Sequence, residues 1–376
     1  MFALYVHWPF CLKKCPYCDF NSHVGGSIDH LKWRDALLRE LDYYGSETKG
    51  RRLDSVFFGG GTPSLMQADT VARILDKAAD YWQMDKDVEV TLEANPTSTE
   101  ARRFADYKAA GVNRLSIGVQ SFDDQVLDFL GRQHSAKEAE KAITVANQTF
   151  GRTSFDLIYA TPDQSRAHWQ AQMKQALDLA SDHLSVYQLT IESGTAFHRA
   201  GMAAADPDRA ADLFEDTQAL LTDAGLPAYE ISNHARAGAA CKHNLVYWQG
   251  GDYVGIGPGA HGRLRTDGQN FATHQIHNPD AWLKAVAAEG HGTAKRRPLD
   301  AASRAEEMLI LGLRLSRGID VAEIKTRTGI QLLDHINRDQ LQILSDAGFI
   351  EQTPTHLIAT DAGRMRLNTI IAKLVI

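Results

Sequence analysis

Cys11-Leu12-Lys13-Lys14-Cys15-Pro16-Tyr17-Cys18 decides how this chain is read. Three of its four cysteines fall here, three residues and then two apart, while Cys241 stands alone far downstream. Thiolates so close together on one loop can hold a cubane iron–sulfur cluster by three corners, which leaves its fourth iron without a protein ligand. Two other readings compete. A disulfide would leave an odd thiol and calls for an oxidising compartment. A zinc ion would need a fourth ligand, which His7, His23 or Cys241 could supply.

An open cluster iron can be chelated by the amino and carboxylate groups of S-adenosylmethionine, and reduction of the cluster then cleaves the sulfonium to a carbon radical. Composition agrees with a reducing, soluble setting. Hydrophobic residues make up 44% and charged residues 23% of 376, a globular profile whose length suggests one large domain and a smaller one. The net charge of −7 argues against nucleic acid as a partner. The apolar start Phe2-Ala3-Leu4-Tyr5-Val6 breaks at His7-Trp8-Pro9, too early for a signal peptide or a membrane span, so the expected location is cytoplasmic.

Strand-like and helix-like stretches then alternate. Helical spacing over 27–44, 69–82, 99–110, 125–130, 137–149, 166–179 and 209–224 separates apolar runs at 53–58, 88–93, 114–119, 153–159 and 184–190. Such alternation predicts a parallel sheet with crossover helices, whose ligands gather at the carboxyl ends of the strands. Residues with chemistry recur at that rim. Gly59-Gly60-Gly61-Thr62 follows the second run and could admit a ligand to the backbone or simply turn tightly; it lacks the lysine of a nucleotide P-loop. Glu93 could cap the next helix or hold a ribose, and Arg132 could be a surface charge or the partner of a carboxylate. Gln120 and Asp156 belong to the same rim.

The triplet, with Tyr17 between its last two cysteines, resembles the radical S-adenosylmethionine superfamily. Its flanks, Leu4-Tyr5-Val6-His7-Trp8-Pro9-Phe10 and Asp19-Phe20-Asn21-Ser22, resemble the oxygen-independent coproporphyrinogen III oxidase-like group, above all the heme-chaperone branch. The resemblance implies an α/β fold, a partial (β/α)6 TIM-like barrel over residues 1–225. A connecting segment, 226–297, and a smaller, mainly helical domain, 298–376, would follow. It implies a [4Fe-4S] cluster on Cys11, Cys15 and Cys18. It further implies S-adenosylmethionine held by Tyr5, Tyr17, Gly60, Gly61, Thr62, Glu93, Gln120, Arg132 and Asp156.

Cys241-Lys242-His243-Asn244-Leu245-Val246-Tyr247-Trp248 is the second unusual stretch. It could ligate heme iron, pack a flat ring, or be a polar loop with aromatics sealing the barrel. His243 is the first candidate ligand, followed by Cys241, His234 and His261. Tyr253 to His261 reads as a glycine-rich close-approach loop, and Gly290 to Pro298 as a polar linker. Helical patterns at 302–314, 321–328 and 332–347, a hairpin at 349–359 and a last helix, 361–376, predict a winged-helix-like end.

Two functions follow from the resemblance. One is a heme carrier serving an acceptor hemoprotein, plausibly respiratory, with a reductant for the cluster; the other is a coproporphyrinogen III dehydrogenase. The dehydrogenases usually carry a further cysteine one residue after the triplet, where this chain has Phe20, and they have a longer amino-terminal lead. Those departures favour the carrier. A homodimer and peripheral membrane contact stay open.

Overall fold

Residues 1–375 are described by the computed structural model; the predicted extension of the last helix to Ile376 lies outside them. Six apolar runs become six parallel strands lying side by side in chain order: β1 (Phe2–Trp8), β2 (Ser55–Gly60), β3 (Glu89–Ala94), β4 (Arg114–Gln120), β5 (Arg152–Tyr159) and β6 (His183–Gln188). Val56 pairs with Leu4 on one side and Val90 on the other, and Leu92 with Leu115, so the β-rich runs sit in register. Both faces of these strands are largely buried, as a parallel sheet covered by crossover helices requires. In the Ala68–Tyr81 helix the covering face is Val71, Ile74, Leu75 and Ala78, one stripe at helical spacing. The Ala136–Thr149 helix starts at a capping box between Ser135 and Glu138.

After β6 the chain extends the sheet at both edges. β7 (Asn233–Ala235) pairs antiparallel with β6. The Lys242–Trp248 helix then carries the chain back to β1, where β8 (Asp252–Ile256) adds a parallel strand. β9 (His261–Thr266), β10 (Gln269–Gln275) and β11 (Thr293–Leu299) continue antiparallel, which gives an open sheet of eleven strands. Residues 226–297 thus add to the main sheet, and Leu226, Val254, Trp282 and Val286 belong to the main core.

Three local expectations are corrected. Gly290–Pro298 is no linker: its second part is edge strand β11, disguised by Lys295, Arg296, Arg297 and Pro298, the residue types that keep an edge from pairing further. Tyr253–Ile256 is strand, and the turn after it brings backbone against backbone, since a Cβ at Gly257 would lie 2.3 Å from the His7 carbonyl. The helices expected at 99–110 and 332–347 are each broken, the latter into a turn at Leu332–Asp334 and a helix, Arg338–Asp346, capped by Asn337.

The carboxyl-terminal part has its own core, built from residues such as Leu309, Ile324, Leu341, Leu357 and Ile370. Helices Ala301–Gly312, Val321–Thr328, Arg338–Asp346 and Leu367–Leu374 pack around a small antiparallel sheet formed by Ile319–Asp320, His356–Ala359 and Ile350–Gln352. Arg304 and Arg327 fasten it to the barrel through the Gly250 carbonyl. Among the described residues no helix is long and apolar enough to cross a membrane.

Candidate cofactor site and the adjoining chamber

The cysteine loop leaves β1 and folds over the carboxyl ends of the strands. Two features hold it there. The Gly61 and Thr62 amides donate to the Trp8 and Phe10 carbonyls at 2.7 and 2.8 Å, so the end of β2 runs against the extension of β1. A Cβ at Gly61 would lie 2.7 Å from the Phe10 oxygen, so the triple glycine answers first to contact between chain segments. On the far side, Lys14 Nζ donates to the Phe20 and Ser22 carbonyls, both at 3.2 Å, and closes the loop on itself.

Each sulfur has a polar neighbour. Thr62 Oγ1 donates to Cys11 Sγ at 3.4 Å, Arg132 Nη1 donates to Cys15 Sγ at 3.4 Å, and Ser22 Oγ lies 3.8 Å from Cys18 Sγ. Burial raises the Cys11 and Cys18 thiols, so these two thiols ionise with difficulty until a metal centre binds them. The three cysteines open into a cavity of about 380 Å³. Tyr17, Gly60, Gly61, Thr62, Glu93, Gln120, Arg132 and Asp156 line the same cavity, with Asn95, Ser116 and Tyr187, which sequence reasoning missed. Asn95 had a visible signal, two residues past Glu93; the other two emerge only once the strands are aligned. Cys241 is fully buried at the other end of the barrel, which removes it as a fourth ligand to this loop.

The electrostatics of the cavity suit a ligand with a cationic centre and hydroxyl donors. Glu93 and Asp156 both face it, and among the described residues neither has an ion-pair partner. Burial first and Asp156 second push the Glu93 carboxyl up to about 8, although the Gly60 amide donates to it at 3.2 Å. Burial pushes Asp156 up to about 6. Arg114, buried inside the barrel and also missed from the sequence, moderates both but bonds Ser154 Oγ instead, at 2.8 Å. Arg132 lines the same cavity and also acts on Asp156; it donates to Asn95 Oδ1 at 2.6 Å and to the Gly118 carbonyl at 2.7 Å, and keeps its Nε without a partner. Gln120 sits at φ 74°, a left-handed backbone held at the very end of β4. Two carboxyl groups without an ion-pair partner among the described residues, an unfilled guanidinium donor and three convergent thiols are a fitting donor set for a [4Fe-4S] cluster with S-adenosylmethionine.

A second chamber of about 680 Å³ adjoins the first and shares Asp19, Phe20, Gly60 and Glu93 with it. Tyr5 lies here rather than in the cluster cavity, its hydroxyl 2.9 Å from His7 Nδ1. Tyr247, Trp248, Tyr253, Ile310 and Leu311 supply apolar wall, and His7, His261, His277, Arg263, Arg304 and Glu307 the polar positions.

The proposed heme ligands separate sharply. His243 is 1% exposed beneath the barrel, its Nδ1 3.0 Å from Ser55 Oγ and its Nε2 2.7 Å from the Tyr247 hydroxyl, with its ring stacked on Phe57. Cys241 donates to Glu89 Oε1 at 3.3 Å, and the His243 amide donates to the same oxygen at 3.1 Å. His234 is buried on β7 against Gln218. The first-ranked candidate and two of its alternates are therefore buried away from the chamber; His243 has both ring nitrogens hydrogen-bonded, and His234 pairs through Nε2 while its Nδ1 has no partner. His261 alone of the four reaches the chamber, and the contribution of the 241–248 segment there is Tyr247 and Trp248.

Comparison with known proteins agrees with this architecture. Residues 5–176 match the family described as Radical SAM superfamily, and residues 299–366 the HemN C-terminal domain. The chain is 38% identical to heme chaperone HemW of Escherichia coli (strain K12) over 98% of its own length and 97% of that protein. It is 45% identical to radical S-adenosyl methionine domain-containing protein 1, mitochondrial, of Bos taurus, over 84% of this chain and 74% of that one. The solved structure of coproporphyrinogen III oxidase (HemN) from Escherichia coli, a radical SAM enzyme, superposes with a TM-score of 0.83 at 22% identity. It covers 99% of this chain and 89% of the other, and at that identity it speaks for the fold alone. From the cysteine loop to the carboxyl-terminal domain, the chain belongs to the HemN-like group of the radical S-adenosylmethionine superfamily, in its HemW-like branch, a family that implies a [4Fe-4S] cluster and S-adenosylmethionine.

Proposed function

We propose that this protein is a cytoplasmic heme chaperone that binds heme beside a [4Fe-4S] cluster and S-adenosylmethionine and passes the heme to an acceptor hemoprotein. The observation that carries the reading is the pair of adjoining cavities. One presents thiols, carboxylates and a guanidinium; the other, about 680 Å³ and walled by aromatic and aliphatic side chains, is of cofactor size. The HemW relatives support the same reading.

When bound and reduced by a partner, the cluster supplies one-electron chemistry at the sulfonium. Cys11, Cys15 and Cys18 hold that centre, and Thr62, Arg132 and Ser22 steady their sulfurs. Glu93 and Asp156 suit the hydroxyl and cationic groups of the nucleoside, and Arg132 its carboxylate. Gly60 and Glu93 border both cavities, so the two ligands would share a wall.

The second reading, a coproporphyrinogen III dehydrogenase, has the common fold behind it. Phe20 lines both cavities where that enzyme class usually carries a cysteine, which favours the chaperone. The test is anaerobic. Reconstituted protein is given heme in one arm, and coproporphyrinogen III with S-adenosylmethionine and a reductant in the other. A stable heme adduct without turnover supports the proposal; sustained formation of protoporphyrinogen overturns it.

A further inference from the structure

We infer that heme iron in the second chamber is ligated by His261, with His277 as the other imidazole within the same wall. The inference rests on the reading of that chamber as the heme site. His261 opens β9 and is exposed to the chamber, and His277 follows the end of β10 and lines it too. Among the described residues neither imidazole has a hydrogen-bond partner, whereas both ring nitrogens of His243 do. A ligand needs a free nitrogen facing the metal, and on this wall two are offered.

The placement is built rather than incidental. His261 pairs directly with His274 across the two strands, and the rings stack at 3.8 Å, which fixes the plane of the His261 ring against the sheet. Asn21 Nδ2 donates to the Pro258 carbonyl at 2.8 Å and to the His277 carbonyl at 2.9 Å, so one side chain of the cysteine loop holds the turn before His261 and the residue bearing the second imidazole. A Cβ at Gly259 would lie 2.4 Å from that amide nitrogen, which explains the glycine there. The iron-binding wall is thereby fastened to the loop that carries the cluster.

The test is an anaerobic titration of ferric heme into the reconstituted full-length protein, followed by absorption and electron paramagnetic resonance spectra, for wild type and His261→Ala, each with and without free imidazole. His261→Ala is expected to change the spin-state signature and to weaken heme binding by roughly the tenfold or more that even an outer partner of a metal ligand is worth. Free imidazole should restore the wild-type spectrum to the variant. A wild-type spectrum and affinity in His261→Ala, or a loss that imidazole does not restore, overturns the assignment while leaving heme binding intact. A wild-type protein that takes up no heme overturns the chaperone reading and this assignment together.

Discussion

Replacing Glu93 by glutamine should stabilise the cofactor-free protein and weaken its grip on S-adenosylmethionine. Burial and Asp156 raise the Glu93 carboxyl from 4.5 to about 8. A carboxyl raised on folding lets the native state keep a proton that the unfolded chain has lost. Its contribution is therefore fully present below pH 4.5 and is lost as the pH climbs to about 8. A shift of that size corresponds to about 4 to 5 kcal/mol. Water in the cavity that both carboxylates line screens part of it, so roughly half, ~2 kcal/mol, is the expected gain at pH 8. Glutamine keeps an oxygen for the Gly60 amide, now 3.2 Å from the carboxylate, so the local backbone has no reason to shift. Urea unfolding at pH 5 and pH 8 reads the difference between variant and wild type, which should widen with pH. Calorimetric titration with S-adenosylmethionine should show the reverse order, binding about tenfold weaker in the variant for the loss of a charge-assisted hydrogen bond. A variant less stable than wild type at pH 8, or one that binds the nucleoside equally well, would refute the reasoning.

Three further outcomes test the scaffold and the cluster loop. Glu89→Ala removes a fully buried carboxylate that pairs with Arg152 at 2.6 Å and receives the Cys241 thiol and the His243 amide. It should cost about 3–5 kcal/mol by urea unfolding, and an unchanged midpoint would mean the crossing helix is held by something else. Glu40→Gln places an amide donor among three donors, the Gly257 and Gly292 amides and the Trp282 indole. About 1–3 kcal/mol and faster amide exchange at Gly257 and Gly292 are expected; wild-type exchange at both would count against it. Cys15→Ala, reconstituted anaerobically, should fold with an unchanged circular dichroism spectrum yet lose its bound iron, and a full iron complement would remove Cys15 from the ligand set.

Much of the barrel is written locally. Runs such as Val56-Phe57-Phe58 and Ile117-Gly118-Val119 are apolar on both faces, and the helices between them carry their stripes and caps within a few residues, as Ser135 and Glu138 do. The cluster loop is local too, since its three thiols sit within eight positions. What escaped depends on contacts made far along the chain. Lys295-Arg296-Arg297 conceals a strand because only its pairing with 270–275 makes it one. The surroundings of His243 are set by Ser55 and Glu89, more than 150 residues earlier, so its burial cannot be read from its own stretch. Tyr5 lies next to the rim in sequence but turns toward His7 and the second chamber. His277, whose polar neighbours in sequence say little, acquires its place through Asn21.

The central claim is that Cys11, Cys15 and Cys18 carry a cluster whose open iron meets a ligand seated on the Glu93 and Asp156 side of the same cavity. Electron paramagnetic resonance of the anaerobically reconstituted, reduced protein, recorded before and after S-adenosylmethionine is added, addresses it most directly. The account predicts about four irons per chain and a reduced [4Fe-4S] signal whose g-values move when the nucleoside binds. A colourless protein with one tightly held zinc, or a cluster signal indifferent to S-adenosylmethionine, would contradict it.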